Sequence, residues 1–111
     1  MILKEKLFLA VSLGDKTTLN DLLKWTNVDF IDPDPQGNTP LNFAVQVGNL
    51  EFVKLLILHG ADFNKPNNQG NTPLHYAFSY GFLDIFDTLI EAGANQKSLN
   101  NNGKNPWQGI K

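Results

Sequence analysis

The amino-acid sequence predicts an all-α solenoid of paired antiparallel helices joined by β-turn or hairpin loops, with about three repeating units and a truncated fourth. Three observations predict it. The six letters QGNTPL occur twice, at Gln36–Leu41 and at Gln69–Leu74, 33 residues apart. Each copy opens an apolar stripe at i, i+3, i+4 spacing, Leu41, Ala44, Val45 in one and Leu74, Ala77, Phe78 in the other. Glycines then recur in register: Gly37, Gly70 and Gly103 at turns, Gly48 with Gly81 and Gly60 with Gly93 after helices. A fixed period of this length marks a chain built from stacked supersecondary units.

The first unit spans residues 1–32. Leu7, Ala10, Val11 and Gly14 match Leu41, Ala44, Val45 and Gly48 with one residue of slippage. Glu5-Lys6-Leu7 stands where later units have Thr-Pro-Leu, and the outside runs polar, so this reads as an N-terminal capping unit. Its second helix is predicted over Thr18 to Trp25, closing through Thr26-Asn27-Val28-Asp29. The second and third units, 33–65 and 66–98, start their helices at Thr39-Pro40 and Thr72-Pro73. A hydroxyl N-cap followed by proline, which has no amide hydrogen to satisfy, is a helix start. Gly48 and Gly81 end these short helices at a tight turn. A second helix follows in each, with Leu50, Val53, Leu56, Ile57 or Leu83, Phe86, Leu89, Ile90 expected inward, and Gly60 or Gly93 stops it. The small Ala44 and Ala77 are expected where neighbouring helices approach closest. Residues 99–111 open a fourth unit that stops after about one helix, with Ile110 where its predecessors have alanine and Gly109 weakening the helix. This is either a short C-terminal cap or part of a unit that a longer chain would complete. The second is favoured, because a solenoid end without its covering helix exposes apolar surface, which Trp107 would partly plug.

The runs GNTPLNFAVQVGNLEFVKLLILHGADFN and GNTPLHYAFSYGFLDIFDTLIEAGAN resemble the ankyrin repeat over nearly the whole chain. The resemblance implies an ankyrin-repeat solenoid forming one domain over residues 1–111. It makes His75 structural, bonding toward the neighbouring hairpin, and Asn42 takes that place one repeat earlier. It also places Asn64 where ankyrin-directed asparaginyl hydroxylases act, a possible modification site beside the ordinary role of a hairpin amide. Above all it implies a concave groove formed by hairpin tips and first helices, the usual partner-binding face. Aligned on that pattern, Pro35, Gln36 and Asn38 form one tip, Asn68, Gln69 and Asn71 the next, and Asn101, Asn102 and Lys104 the last. The first helices add Ser12, Leu13, Gln46, Val47, Ser79 and Tyr80, of which Tyr80 offers the most contact area at low entropic cost.

Composition excludes other classes. The 111 residues carry a net charge of −2 and a pI near 5.5, without an electrostatic footprint for nucleic acid or anionic lipid. All nine basic residues are lysine, so bidentate base reading is unavailable. Cysteine is absent, excluding disulfides and thiolate metal sites. The apolar run LFLAVSL follows Lys4, Glu5 and Lys6 and lacks a convincing cleavage site, and no run approaches the length of a membrane span. The chain is expected to be cytoplasmic and monomeric. Asp32-Pro33-Asp34-Pro35-Gln36-Gly37 imitates the opening of a calcium loop, but Pro40 and Phe43 occupy its ninth and twelfth positions, where ligands are needed. His59 suits the negative end of a helix dipole. No nucleophile–base pair or phosphate loop is present, so neither catalysis nor a cofactor or metal is expected. The function expected is a scaffold or adaptor that binds another protein through the groove. The alternative is a regulatory or targeting segment of a larger enzyme or channel that docks in cis. A third reading is a stack that self-associates end to end.

Overall fold

The computed structural model describes residues 2–28 and 31–110. Among them are six α-helices: α1 (Leu3–Leu13), α2 (Lys16–Leu23), α3 (Pro40–Val47), α4 (Leu50–Leu58), α5 (Pro73–Ser79) and α6 (Leu83–Ala92), followed by a 3₁₀ turn, Pro106–Gln108. Each odd-numbered helix packs on the next even one. α1, α3, α5 and the 3₁₀ turn then succeed one another as an inner row, with α4 and α6 in contact along an outer row. The stack measures 37 × 26 × 21 Å.

Local chemistry sets the boundaries. Thr39 and Thr72 cap α3 and α5, accepting from the backbone N–H of Asn42 and His75, with proline in the first turn. Asn49 caps α4 in the same way through Phe52 N–H. The second helix of the first unit runs Lys16–Leu23 rather than Thr18 to Trp25, because Asp15 Oδ1 accepts from Thr18 N–H at 3.1 Å and starts it earlier. Trp25 lies in the turn beyond and is exposed. Asp29 and Lys111, expected in the first and last units, lie outside the described residues.

Ala10, Ala44 and Ala77 are buried along the inner row, between Leu7, Leu41 and Leu74 on one side and Val11 and Val45 on the other. The expected inward faces of the outer helices are corrected in part. Phe52, Val53, Leu56 and Ile85, Phe86, Leu89 are the buried sets, Leu50 is half-buried, and Leu83 is 64% exposed. Each outer helix packs on its own inner helix and on an outer neighbour, so it buries an arc wide enough for adjacent residues 100° apart. Full burial of such a side chain contributes roughly 1.5–3 kcal/mol.

The fourth unit forms a single 3₁₀ turn rather than a helix, ended at Gly109 with φ 94° and ψ −165°. Ile110 is half-buried and donates its N–H to Ser79 Oγ at 3.0 Å. Trp107 occupies the position of Leu41 and Leu74. Its ring meets Phe86 edge-on at 4.8 Å and Phe78 at 5.6 Å, yet stays half-exposed.

Candidate interaction surface

Three hairpins, 34–38, 67–71 and 100–104, stand at the mouths of the inner helices. Their first residues, Asp34, Asn67 and Asn100, close each turn from within. One side-chain oxygen of each accepts from the backbone N–H groups two and four residues on, at 2.8–3.1 Å. In Asn67 and Asn100 the amide of the same side chain then reaches back to the preceding hairpin, whereas the second oxygen of Asp34 accepts from Asn38 Nδ2 in its own hairpin. Asn67 Nδ2 donates to Asn38 Oδ1 at 3.0 Å, and Asn100 Nδ2 donates to Asn71 Oδ1 at 2.9 Å. A second, outer rung repeats the pattern: Asn68 N–H donates to Gln36 O and Asn101 N–H to Gln69 O, with their side-chain amides on Pro35 O and Asn68 O. The hairpins approach so closely that a Cβ at Gly37 would stand 2.8 Å from Asn68 N, and one at Gly70 equally near Asn101 N. Both glycines also have positive φ, so no other residue type fits without strain.

This ladder relocates two of the expected groove residues. Asn38 and Asn71 are 6% and 1% exposed, enclosed by the hairpins that they join. Gln46 donates to Asn38 Oδ1 at 2.8 Å and thereby forms the wall of a cleft of ≈ 400 Å³ between the first two tips, with Pro35, Gln36, Asn68 and Gln69 around it. Tyr76, absent from the expected set, forms part of its floor. The ring is buried, and the hydroxyl accepts from Asn67 Nδ2 at 2.9 Å and donates to Gln69 Oε1 at 3.3 Å. The signal was available: Tyr76 and Tyr80 lie four apart on one helix face, and their rings meet at 5.6 Å. Ser79 and Tyr80 line a second cleft, of ≈ 290 Å³, with Gln108 and Ile110. Leu13 and Val47 end α1 and α3, Tyr80 takes the equivalent place just after α5, and the three are 70%, 46% and 47% exposed. Asn102 and Lys104 are exposed at the third tip.

His75 is fully buried. Its Nδ1 accepts from Thr72 N–H at 3.1 Å and its Nε2 donates to Lys104 O at 2.9 Å, a bond to the neighbouring hairpin. Burial holds its pKa below the ordinary histidine value, against the pull of the Lys104 carbonyl. Gln108 reproduces the first of these bonds, its Oε1 accepting from Asn105 N–H at 2.8 Å. Asn42 is too short to do so; its Nδ2 reaches Asn38 Oδ1 and Asn71 O, while its buried Oδ1 has no partner among the described residues. Asn64 bonds across the stack rather than within its own loop, Oδ1 accepting from Asn95 N–H at 2.7 Å. His59 Nδ1 lies 2.9 Å from Leu55 O at the end of α4. Both oxygens of Asp34 are engaged by its own hairpin, and no three of the His, Cys, Asp and Glu residues cluster among the described residues.

Helices α3 and α5 contain no Asp, Glu or Lys, whereas α4 carries Glu51 and Lys54 and α6 carries Asp84, Asp87 and Glu91. The inner helices α3 and α5 are therefore neutral and the outer helices paired with them charged, while α1 carries Lys4, Glu5 and Lys6 near its start.

Stacked helix pairs whose hairpins are linked rung by rung define a repeat protein of the solenoid class. The chain belongs to the ankyrin-repeat family: the sequence model for ankyrin repeats, three copies, matches residues 7–104. It is also similar to delta-latroinsectotoxin-Lt1a of Latrodectus tredecimguttatus, at 46% identity over 48 residues. That match covers 43% of this chain and 4% of the toxin's length. Among the described residues, no helix is long and apolar enough to cross a membrane.

Proposed function

We propose that this chain is a non-catalytic scaffold or adaptor, in which a partner protein lies along the groove between the hairpin tips and the last turns of α1, α3 and α5. Ankyrin repeats are in general protein–protein interaction modules, and the fold alone names no partner. One observation supports the groove above other surfaces: Leu13, Val47 and Tyr80 stay exposed at equivalent positions, and an amide-lined cleft holds Gln46, next to Val47, and Tyr76, whose ring meets that of Tyr80. An apolar row of this kind gains nothing for the isolated stack and offers contact area to a partner.

The test is capture from a lysate of the source cell, with wild-type bait compared against a Gln46→Ala, Gln69→Ala, Tyr80→Ala variant. Circular dichroism first establishes that both baits are folded. A protein retained by the wild type and lost by the variant supports the groove. Equal retention by both baits overturns it and moves the site to the outer helices or the Trp107 end.

A further inference from the structure

Resting on the reading of the groove just given, we infer that its occupant is an uncharged polypeptide segment in the polyproline II conformation, with every third residue meeting one repeat. Charge narrows the partner first. The inner helices α3 and α5 and the tips Pro35–Asn38 and Asn68–Asn71 hold no Asp, Glu or Lys. A charged ligand side chain seated on that stretch would find no counter-ion, and Lys104, exposed at the third tip, lies beyond it.

Unused hydrogen-bonding groups narrow it further. Among the described residues the side-chain amide of Gln36 has no partner. Gln46 uses its Nε2 alone, on Asn38, and Gln69 uses its Oε1 alone, from Tyr76. The cleft therefore presents donors and acceptors together, which suits the N–H and C=O groups of a backbone. An α-helix has satisfied those groups internally and offers none along its length. A polyproline II segment makes no internal hydrogen bonds and offers all of them.

Spacing then separates the two extended conformations. The inner helices pack on one another, α1 on α3 and α3 on α5, and packed helices succeed one another at about 8–10 Å. A polyproline II helix completes a turn in three residues, about 9.3 Å. Its residues i, i+3 and i+6 thus present the same face to Leu13, Val47 and Tyr80 in turn. A β-strand covers the same distance in about three residues of roughly 3.3 Å, but its side chains alternate, so i and i+3 point to opposite faces. The groove repeats with a period of three residues, which polyproline II matches and a strand does not.

Selection from a display library of random dodecapeptides on the intact chain tests this. The sequences expected are near-neutral, with proline or an apolar residue at every third position. The best synthetic peptide, labelled with fluorescein, should bind with a Kd changed less than twofold between 50 and 500 mM NaCl. It should bind at least fivefold more weakly to Gln46→Ala and Tyr80→Ala, and equally to Leu58→Ala on the outer row. Enriched sequences that are charged, alternate with period two or carry helical spacing overturn the inference, as does the absence of enrichment. If such sequences still lose binding on Tyr80→Ala, the groove stands without the three-residue period. If the winners bind both groove variants as well as the wild type, the groove falls too.

Discussion

His75 Nε2 donates to the carbonyl of Lys104, 29 residues away, at 2.9 Å. That bond ties the start of α5 to the third hairpin, and it holds while the imidazole is neutral with its other nitrogen accepting from Thr72 N–H. A proton on Nδ1 would set two donors against each other.

The sign of the pH dependence follows. The folded pKa of His75 lies below that of an unfolded imidazole, about 6.5. Its contribution is therefore complete above that value and declines as pH falls below it. Thermal melts from pH 8 to 5 should show the midpoint falling below about pH 6.5. His75→Gln should flatten that step, since Gln108 shows that a glutamine oxygen can serve the N-cap amide. A wild-type midpoint that is constant across this range, or an unchanged step in the variant, contradicts the assignment.

Asn42 occupies the same register one repeat earlier and leaves a buried oxygen without a partner. Asn42→His replaces that orphan by a ring nitrogen able to accept from Thr39 N–H and another able to donate to Asn71 O. Denaturant titration should show a gain of about 1 kcal/mol, the lower end of the cost of an unsatisfied buried polar group. A loss of stability would mean that the second-unit site cannot hold the ring.

Asn67 and Asn101 separate the inner rungs of the ladder from the outer ones. Asn67→Asp keeps the oxygen that closes its turn but removes the donor to Asn38 and Tyr76 and buries a charge. The expected loss is about 2 kcal/mol or more. Asn101→Asp, at an exposed rung, should lose about 1 kcal/mol or less. Equal losses would deny the inner ladder its special weight.

Gly37 and Gly103 give a matched pair, both with positive φ at the same turn position. Alanine at Gly103 meets nothing within 4 Å and should cost about 1 kcal/mol of backbone strain. Alanine at Gly37 pays the same strain and also strikes Asn68, so its loss should exceed the first by about 1–3 kcal/mol, the range for overpacking. Chemical denaturation of the two variants side by side decides it.

The repeat, the Thr-Pro helix starts and the glycine turns were legible because each is a local demand of backbone geometry. The exposure of Leu13, Val47 and Tyr80 was equally legible, since the three share one position in the period. Asn38 and Asn71 were not. An asparagine at a turn reads as surface, and the side chain that buries it comes from the next hairpin, 29 residues on. The outer helices misled for a related reason: Leu83 fits an inward stripe, but two neighbours rather than one decide which arc is covered. The early start of α2 could have been read from Asp15, which stands to Thr18 as Asn49 stands to Phe52. The 3₁₀ turn was legible only in part: Gly109 marked the helix as weak, but Pro106 begins it as its predecessors do, and nothing local fixes that it stops at three residues.

Among the described residues, every hairpin-to-hairpin bond runs backward, from donors on the later hairpin to acceptors on the earlier one. The stack therefore has a grain. Lifting off the third hairpin bares carbonyl oxygens on the second, which tolerate solvent or a missing partner with ease, and one forward-pointing donor, His75. Lifting off the first instead strands N–H groups on the second, the kind of loss that folded chains rarely accept. Under a pulling force the molecule should peel unit by unit from its Trp107 end and resist from the other, like a zipper with its stop sewn at one side.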